Sequence, residues 1–151
     1  MEVNNMLEKL FGKKSAGSSV KAVFNAFVAQ IEKEGLKYTK NAEDYRVMLN
    51  YNGDHFKSKT FVFSFDKDGK SFSLHVFSLV KFSDDQLDAA YKFCNTMNNK
   101  YRWLKTYVDS DKELTVEYDG VIDASTAGPV CSEILHRSVS ITDDIMGALQ
   151  A

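Results

Sequence analysis

The stretch 93-FCNTMNNKYRWLKTYVDSDKELTVEYD-119 joins a cysteine, a group of asparagines, a basic-aromatic patch and an acidic tail. It reads either as a site that does chemistry or as a helix passing into a hairpin, and its spacing favours the hairpin. Leu87, Ala90, Tyr91, Cys94 and Met97 recur at three- and four-residue intervals, so Cys94 belongs to the buried stripe of a helix. Asn98 and Asn99 fall at the fraying end, where side chains that bond to their own backbone are at home. Trp103, Lys105 and Tyr107 then alternate with Arg102, Leu104 and Val108. Past the acidic turn Asp109–Glu113, Leu114, Val116 and Tyr118 alternate again, giving two antiparallel strands.

The helix has a marked start in "FSDDQL", Phe82–Leu87. Ser83 is placed as N-cap with Gln86 three residues on as its capping-box partner, and Asp84 and Asp85 suit the positive end of the helix dipole. Further upstream the period is two. Tyr45, Val47, Leu49 and Tyr51 mark one strand, Phe61, Phe63 and Phe65 a second, and Ser71 to Val80 a third, with Phe72, Leu74 and Val76 on one face. "NGD" at 52–54 and "DKDG" at 66–69 turn the chain between them. Before the strands, Val20, Val23, Phe24, Phe27, Val28 and Ile31 form a helical stripe that Ser18 or Ser19 can cap and Gly35 can stop. After them, Cys131, Ile134, Leu135, Ser138, Ile141, Ile145 and Leu149 predict a last helix starting near Ser125 or Thr126, with Pro129 in its first turn. The β-branched run Val139–Thr142 leaves a break in that helix open.

Residues 1–14 place Val3, Met6, Leu7, Leu10 and Phe11 on one stripe of a short amphipathic helix, and residues 15–19 read as a linker to a single domain over 20–151. A helix this short is marginal alone in water, so Met6, Leu7, Leu10 and Phe11 are candidates for docking on protein, whether this domain or a sister subunit. Glu2 and Glu8 oppose Lys9, Lys13 and Lys14, which disfavours a membrane surface.

The predicted order is α-β-β-β-α-β-β-α, an α+β domain with a five-stranded antiparallel sheet packed by helices. That order matches the fold shared by type III secretion chaperones and the YbjN-like family of small bacterial proteins. The second half also resembles the YbjN-like family in sequence, through "DDQLDAAYKFCNTMNNKY", "RWLKTYVD" and "ELTVEYDG". An asparagine-containing helix end (Asn95, Asn98, Asn99) there leads into a strand, an acidic turn and a second strand. The likeness covers roughly Tyr45 to Leu149. It implies a role in sensory transduction regulation and no particular chemistry.

With 44% apolar residues and one proline, the chain can bury a core and is not disordered in composition. A net charge of −2 gives no global attraction to nucleic acid or anionic lipid. The start lacks a cationic segment and no long apolar run follows, so the expectation is a cytoplasmic protein with Cys94 and Cys131 as free, buried thiols. Calcium is disfavoured at "DKDGKS", where the glycine comes too early and no glutamate follows at the right spacing. His55, His75 and His136 lack metal-ligand spacing, and Cys131 and His136 fall on different helix faces. No Gly-rich phosphate loop follows a strand. No catalytic, cofactor or metal residue is therefore assigned.

"KYRWLKTY", Lys100–Tyr107, interleaves basic and aromatic residues as a single-strand nucleic-acid platform does. The carboxylates Asp109, Asp111, Glu113, Glu117 and Asp119 should neutralise Arg102 and Lys105 across the hairpin, which disfavours nucleic acid. Arg102, Trp103 and Tyr107 remain as candidate protein-binding residues. The expected function is non-catalytic binding of protein or peptide, chaperone- or adaptor-like, by a homodimer pairing through uncovered sheet edges. The alternative is a regulatory domain sensing a small ligand or nucleic acid.

Overall fold

The computed structural model describes residues 19–151. The N-terminal stripe with Met6, Leu7, Leu10 and Phe11 lies outside the described residues. Within them three α-helices pack on one face of a six-stranded antiparallel sheet: α1 (Val20–Lys33), β1 (Thr39–Asn41), β2 (Arg46–Tyr51), β3 (Lys59–Phe65), β4 (Ser71–Val76), α2 (Leu87–Lys100), β5 (Lys105–Val108), β6 (Leu114–Val121) and α3 (Ala127–Gln150). The strand order is β1-β2-β3-β4-β6-β5, so β6 inserts between β4 and the edge strand β5.

Local signals set the helix ends. Ser19 Oγ accepts from the Ala22 N–H at 3.1 Å. Gly35 ends α1 in the left-handed region (φ 72°), where Leu36 N–H reaches back to the Ile31 carbonyl at 3.0 Å. Gln86 Oε1 accepts from Ser83 N–H at 3.0 Å, the return half of the capping box, and a 3-10 turn at Asp84–Gln86 leads into α2.

The core forms where the period-2 faces meet the helical stripes. Phe27 lies 4.4 Å from Phe63 between ring centroids, and Phe24 sits edge-on to Phe65. Phe61, Phe63, Leu49, Val47, Leu74 and Val76 are essentially inaccessible, and Ala90, Cys94 and Met97 of α2 join the same cluster. Each such large side chain contributes about 1.5–3 kcal/mol by its removal from water.

Three expectations need correction, and one open point closes. The sheet has six strands, not five. The extra strand, β1, is three exposed residues carrying no apolar alternation, and it pairs Thr39 with Met48 and Asn41 with Arg46. The third predicted strand stops at Val76 instead of Val80, just before Ser78 adopts φ 56°. β5 begins at Lys105 instead of Trp103. α3 runs unbroken through Val139–Thr142, because burial of Ser138, Thr142 and Ile145 outweighs the weak helix propensity of β-branched residues.

Among the described residues the opposite sheet face carries no helix. One row crosses all six strands there, Thr39–Met48–Val62–His75–Glu117–Lys105 in register.

Candidate functional site

α2 ends where the Tyr101 N–H bonds the Met97 carbonyl at 2.9 Å. Two residues on, the Leu104 N–H donates to the Arg102 carbonyl at 2.9 Å around Trp103, whose φ is 77°. This is a γ-turn with a positive φ, the rare and strained sort, centred on the bulkiest side chain in the chain. The flanks hold it. Leu104 is buried, and the Asn98 side chain fixes Thr106 by accepting from its N–H at 2.8 Å and donating to its carbonyl at 3.0 Å. The turn lifts Trp103 out of the sheet and leaves its ring about half exposed.

Opposite stands α3. Lys100, Tyr101, Arg102 and Trp103 form one wall of an open groove of about 530 Å³; His136, Arg137, Ser140 and Ile141 form the other. The Arg137 guanidinium carbon lies 5.1 Å from the Trp103 ring centroid, a cation–π contact that ties the walls together, while its Nε donates to Glu133 at 2.8 Å. Lys100 Nζ sits 5.2 Å from the Tyr101 ring.

His136 is held from behind by Glu34, at the end of α1, with Nε2 and Oε1 3.0 Å apart. Ser132 Oγ donates to the other Glu34 oxygen at 2.5 Å, and Gln30 Nε2 donates to it at 3.1 Å. The bond with His136 first, then that from Ser132, lower Glu34 to about 2 against the opposing effect of burial. Serine, histidine and carboxylate thus meet, but Ser132 gives its proton to the carboxylate and not to the imidazole. Nucleophilic activation needs the serine on the base, so this set positions His136 and does not build a nucleophile.

The structure brings Arg102 and Trp103 into the groove and sends Tyr107 elsewhere. Tyr107 lies on the helix-free sheet face, where its hydroxyl donates to Glu117 Oε1 at 2.6 Å. Glu117 also meets His75 Nε2 at 2.7 Å and Lys105 Nζ at 3.2 Å, and the His75 ring stacks on Phe77. Burial alone would raise Glu117, but hydrogen bonds with Asp119, Tyr107 and Lys105, together with the neighbouring His75, bring it down to about 2. Burial and the neighbouring Glu117 raise Asp119. Tyr107 is pushed up by burial and by its bond to Glu117. The expected cross-strand neutralisation holds for Lys105, which faces Glu117 in register and also reaches Asp119 at 3.6 Å. It fails for Arg102, which precedes the strand and forms no ion pair among the described residues.

Cys94 and Cys131 are free and buried, and desolvation raises both thiols. The histidines lie apart: His55 beside Asp143, His75 beside Glu117 and His136 beside Glu34.

A family model described as "Putative bacterial sensory transduction regulator", named YbjN, matches residues 31–151. The chain belongs to the YbjN family. The match takes in both walls of the groove and the whole sheet, and leaves out most of α1. No curated protein matches the chain. Among the described residues, no helix is long and apolar enough to cross a membrane. His136 and Arg137 are the groove cations that the basic-aromatic stretch Lys100–Tyr107 of this YbjN member does not include. Arg137 meets Trp103 through the packing of α3, and no local pattern encodes that.

Proposed function

We propose that this protein is a non-catalytic regulatory adaptor that acts by holding a polypeptide in the groove between the Trp103 turn and α3. The observation that carries this reading is the presentation of Trp103, half exposed in a strained turn and backed by Arg137. Tryptophan and arginine are the residue types on which binding energy concentrates, and backbone strain gathers at ligand clamps. Membership in a family described in terms of sensory transduction regulation supports a regulatory role, and an order of elements that, β1 aside, follows the one expected of the secretion chaperone-like fold supports an adaptor. Self-association belongs to the proposal through β1, the edge left open among the described residues, and light scattering that gives only a monomer at high micromolar concentration would refute it.

A photo-crosslinking residue at Ser140, in the groove wall, tests the reading in cells. The captured polypeptide is then purified and titrated against the protein. Trp103→Ala should weaken binding by about tenfold or more, as loss of a hot-spot aromatic does. Unchanged affinity in that variant would overturn the proposal. A second reading, sensing of a small anionic ligand or nucleic acid, is favoured by the cations on both walls, and a crosslink to nucleic acid in place of protein would establish it.

A further inference from the structure

We infer that the occupant of the Trp103 groove is an acidic stretch of polypeptide in which carboxylates flank an apolar side chain. The inference rests on reading the groove as a polypeptide site and adds the chemistry of the partner.

Charge is the first argument. Lys100 and Arg102 on one wall and Arg137 on the other are full cations, and none of the lining residues is acidic. The chain as a whole carries −2, so the groove is a local reversal of sign. The cations are also available. The Arg102 side chain makes no hydrogen bond or ion pair among the described residues. Arg137 gives only its Nε to Glu133, leaving the other guanidinium N–H groups to fork onto a carboxylate. His136 is fixed by Glu34 through Nε2, so its second ring nitrogen is unspent.

Shape is the second. The volume of about 530 Å³ suits a few side chains and not a folded domain. Trp103 and Ile141 supply apolar surface from opposite walls, where one aromatic or aliphatic side chain can lie while its neighbours reach the cations.

Nucleic acid fits less well. Stacking platforms offer successive free aromatic faces, and here Arg137 occupies a face of Trp103 while Lys100 lies against Tyr101.

Trp103 is the only tryptophan, so tryptophan emission, excited at the red edge where tyrosine does not absorb, reports on this groove alone. The full chain is titrated with short peptides in which Glu and Asp flank one Phe or Leu. Parallel arms use the same peptides with Gln and Asn in place of the acids, a single-stranded oligonucleotide and inorganic phosphate. The acidic peptides should shift the emission saturably, bind about tenfold tighter than the neutral ones, and weaken with added salt. Arg102→Glu, a surface change checked for folding by circular dichroism, should reverse that preference. Equal binding of neutral and acidic peptides would overturn the acidic class and leave the polypeptide site standing. A response to oligonucleotide or phosphate with none to any peptide, or no response at all, would overturn both.

Discussion

The side-chain amide of Asn98 completes the edge of the sheet at Thr106, accepting from its N–H at 2.8 Å and donating to its carbonyl at 3.0 Å. One side chain from α2 thus does for β5 what a seventh strand would do. An open strand edge invites pairing with another chain, and this one is closed at its middle.

Asn98→Ala should therefore cost about 1–3 kcal/mol, the price of leaving partly buried backbone groups unpaired. Asn98→Asp should cost at least as much, since it accepts but cannot donate and sets a carboxylate against a carbonyl. Chemical denaturation measures the loss, and size-exclusion chromatography should show added self-association in both variants.

Trp103 stores backbone strain that only glycine relieves. Trp103→Gly should be more stable than Trp103→Ala by about 1 kcal/mol, although glycine ordinarily costs entropy relative to alanine. Both should lose groove binding alike. Thermal melts of the pair decide the matter, and equal melting temperatures would show that the turn is unstrained.

The helix-free face predicts an acid response. Glu117, ordinarily near 4.5, is held at about 2, so it contributes stability that is complete above 4.5 and lost as pH falls toward 2. Glu117→Gln should cost about 1–2 kcal/mol at neutral pH, with the difference from the parent shrinking across that window. Asp119 runs the other way. Its raised value means that its ionisation opposes folding at neutral pH. Asp119→Asn should raise stability there by a few tenths of a kcal/mol, the scale of exposed charge pairs. Melting curves taken across pH test both signs.

Gly53 lets the loop after β2 approach α3. A Cβ at this position would lie 2.3 Å from Asp143 Oδ1 and 2.6 Å from the Phe56 ring. Asp143 is the acceptor for the His55 N–H at 2.7 Å, so the addition would pry that contact apart. Gly53→Ala should cost about 1–3 kcal/mol, as overpacking does, and the shortfall should appear in urea denaturation.

Periodicity carried most of the architecture. The stripes Val23–Ile31 and Leu87–Met97 and the alternation Phe61–Phe65 are repeated local signals that burial rewards at every position. β1 escaped because its three exposed residues hold their place by pairing with β2 alone. The role of Asn98 was misread for a related reason. An asparagine at a helix end bonds its own backbone in isolation, and only tertiary placement brings Thr106 within reach. The same holds for the site. Arg102 and Trp103 stood out by residue type, but alternation put Trp103 in line with Lys105 and Tyr107, and the γ-turn removed it. Nothing local in α3 announces that Arg137 meets the indole.

The layout of the core also sets a schedule. α3 follows every strand in chain order, and it brings Cys131, Ile134, Leu135, Ile145 and Met146 into the core that includes Phe61, Phe63, Phe65 and Phe72. Ribosomes add ~5–20 residues per second, so the 24 residues of α3 take a few seconds to make. Collapse of a chain this size takes only ~10–100 μs. The meander is thus born with its phenylalanine face half bare and stays so for many thousands of collapse times. A ribosome-stalled chain ending before Ala127 should be held by chaperones and bind hydrophobic dye, and release of the full chain should end both.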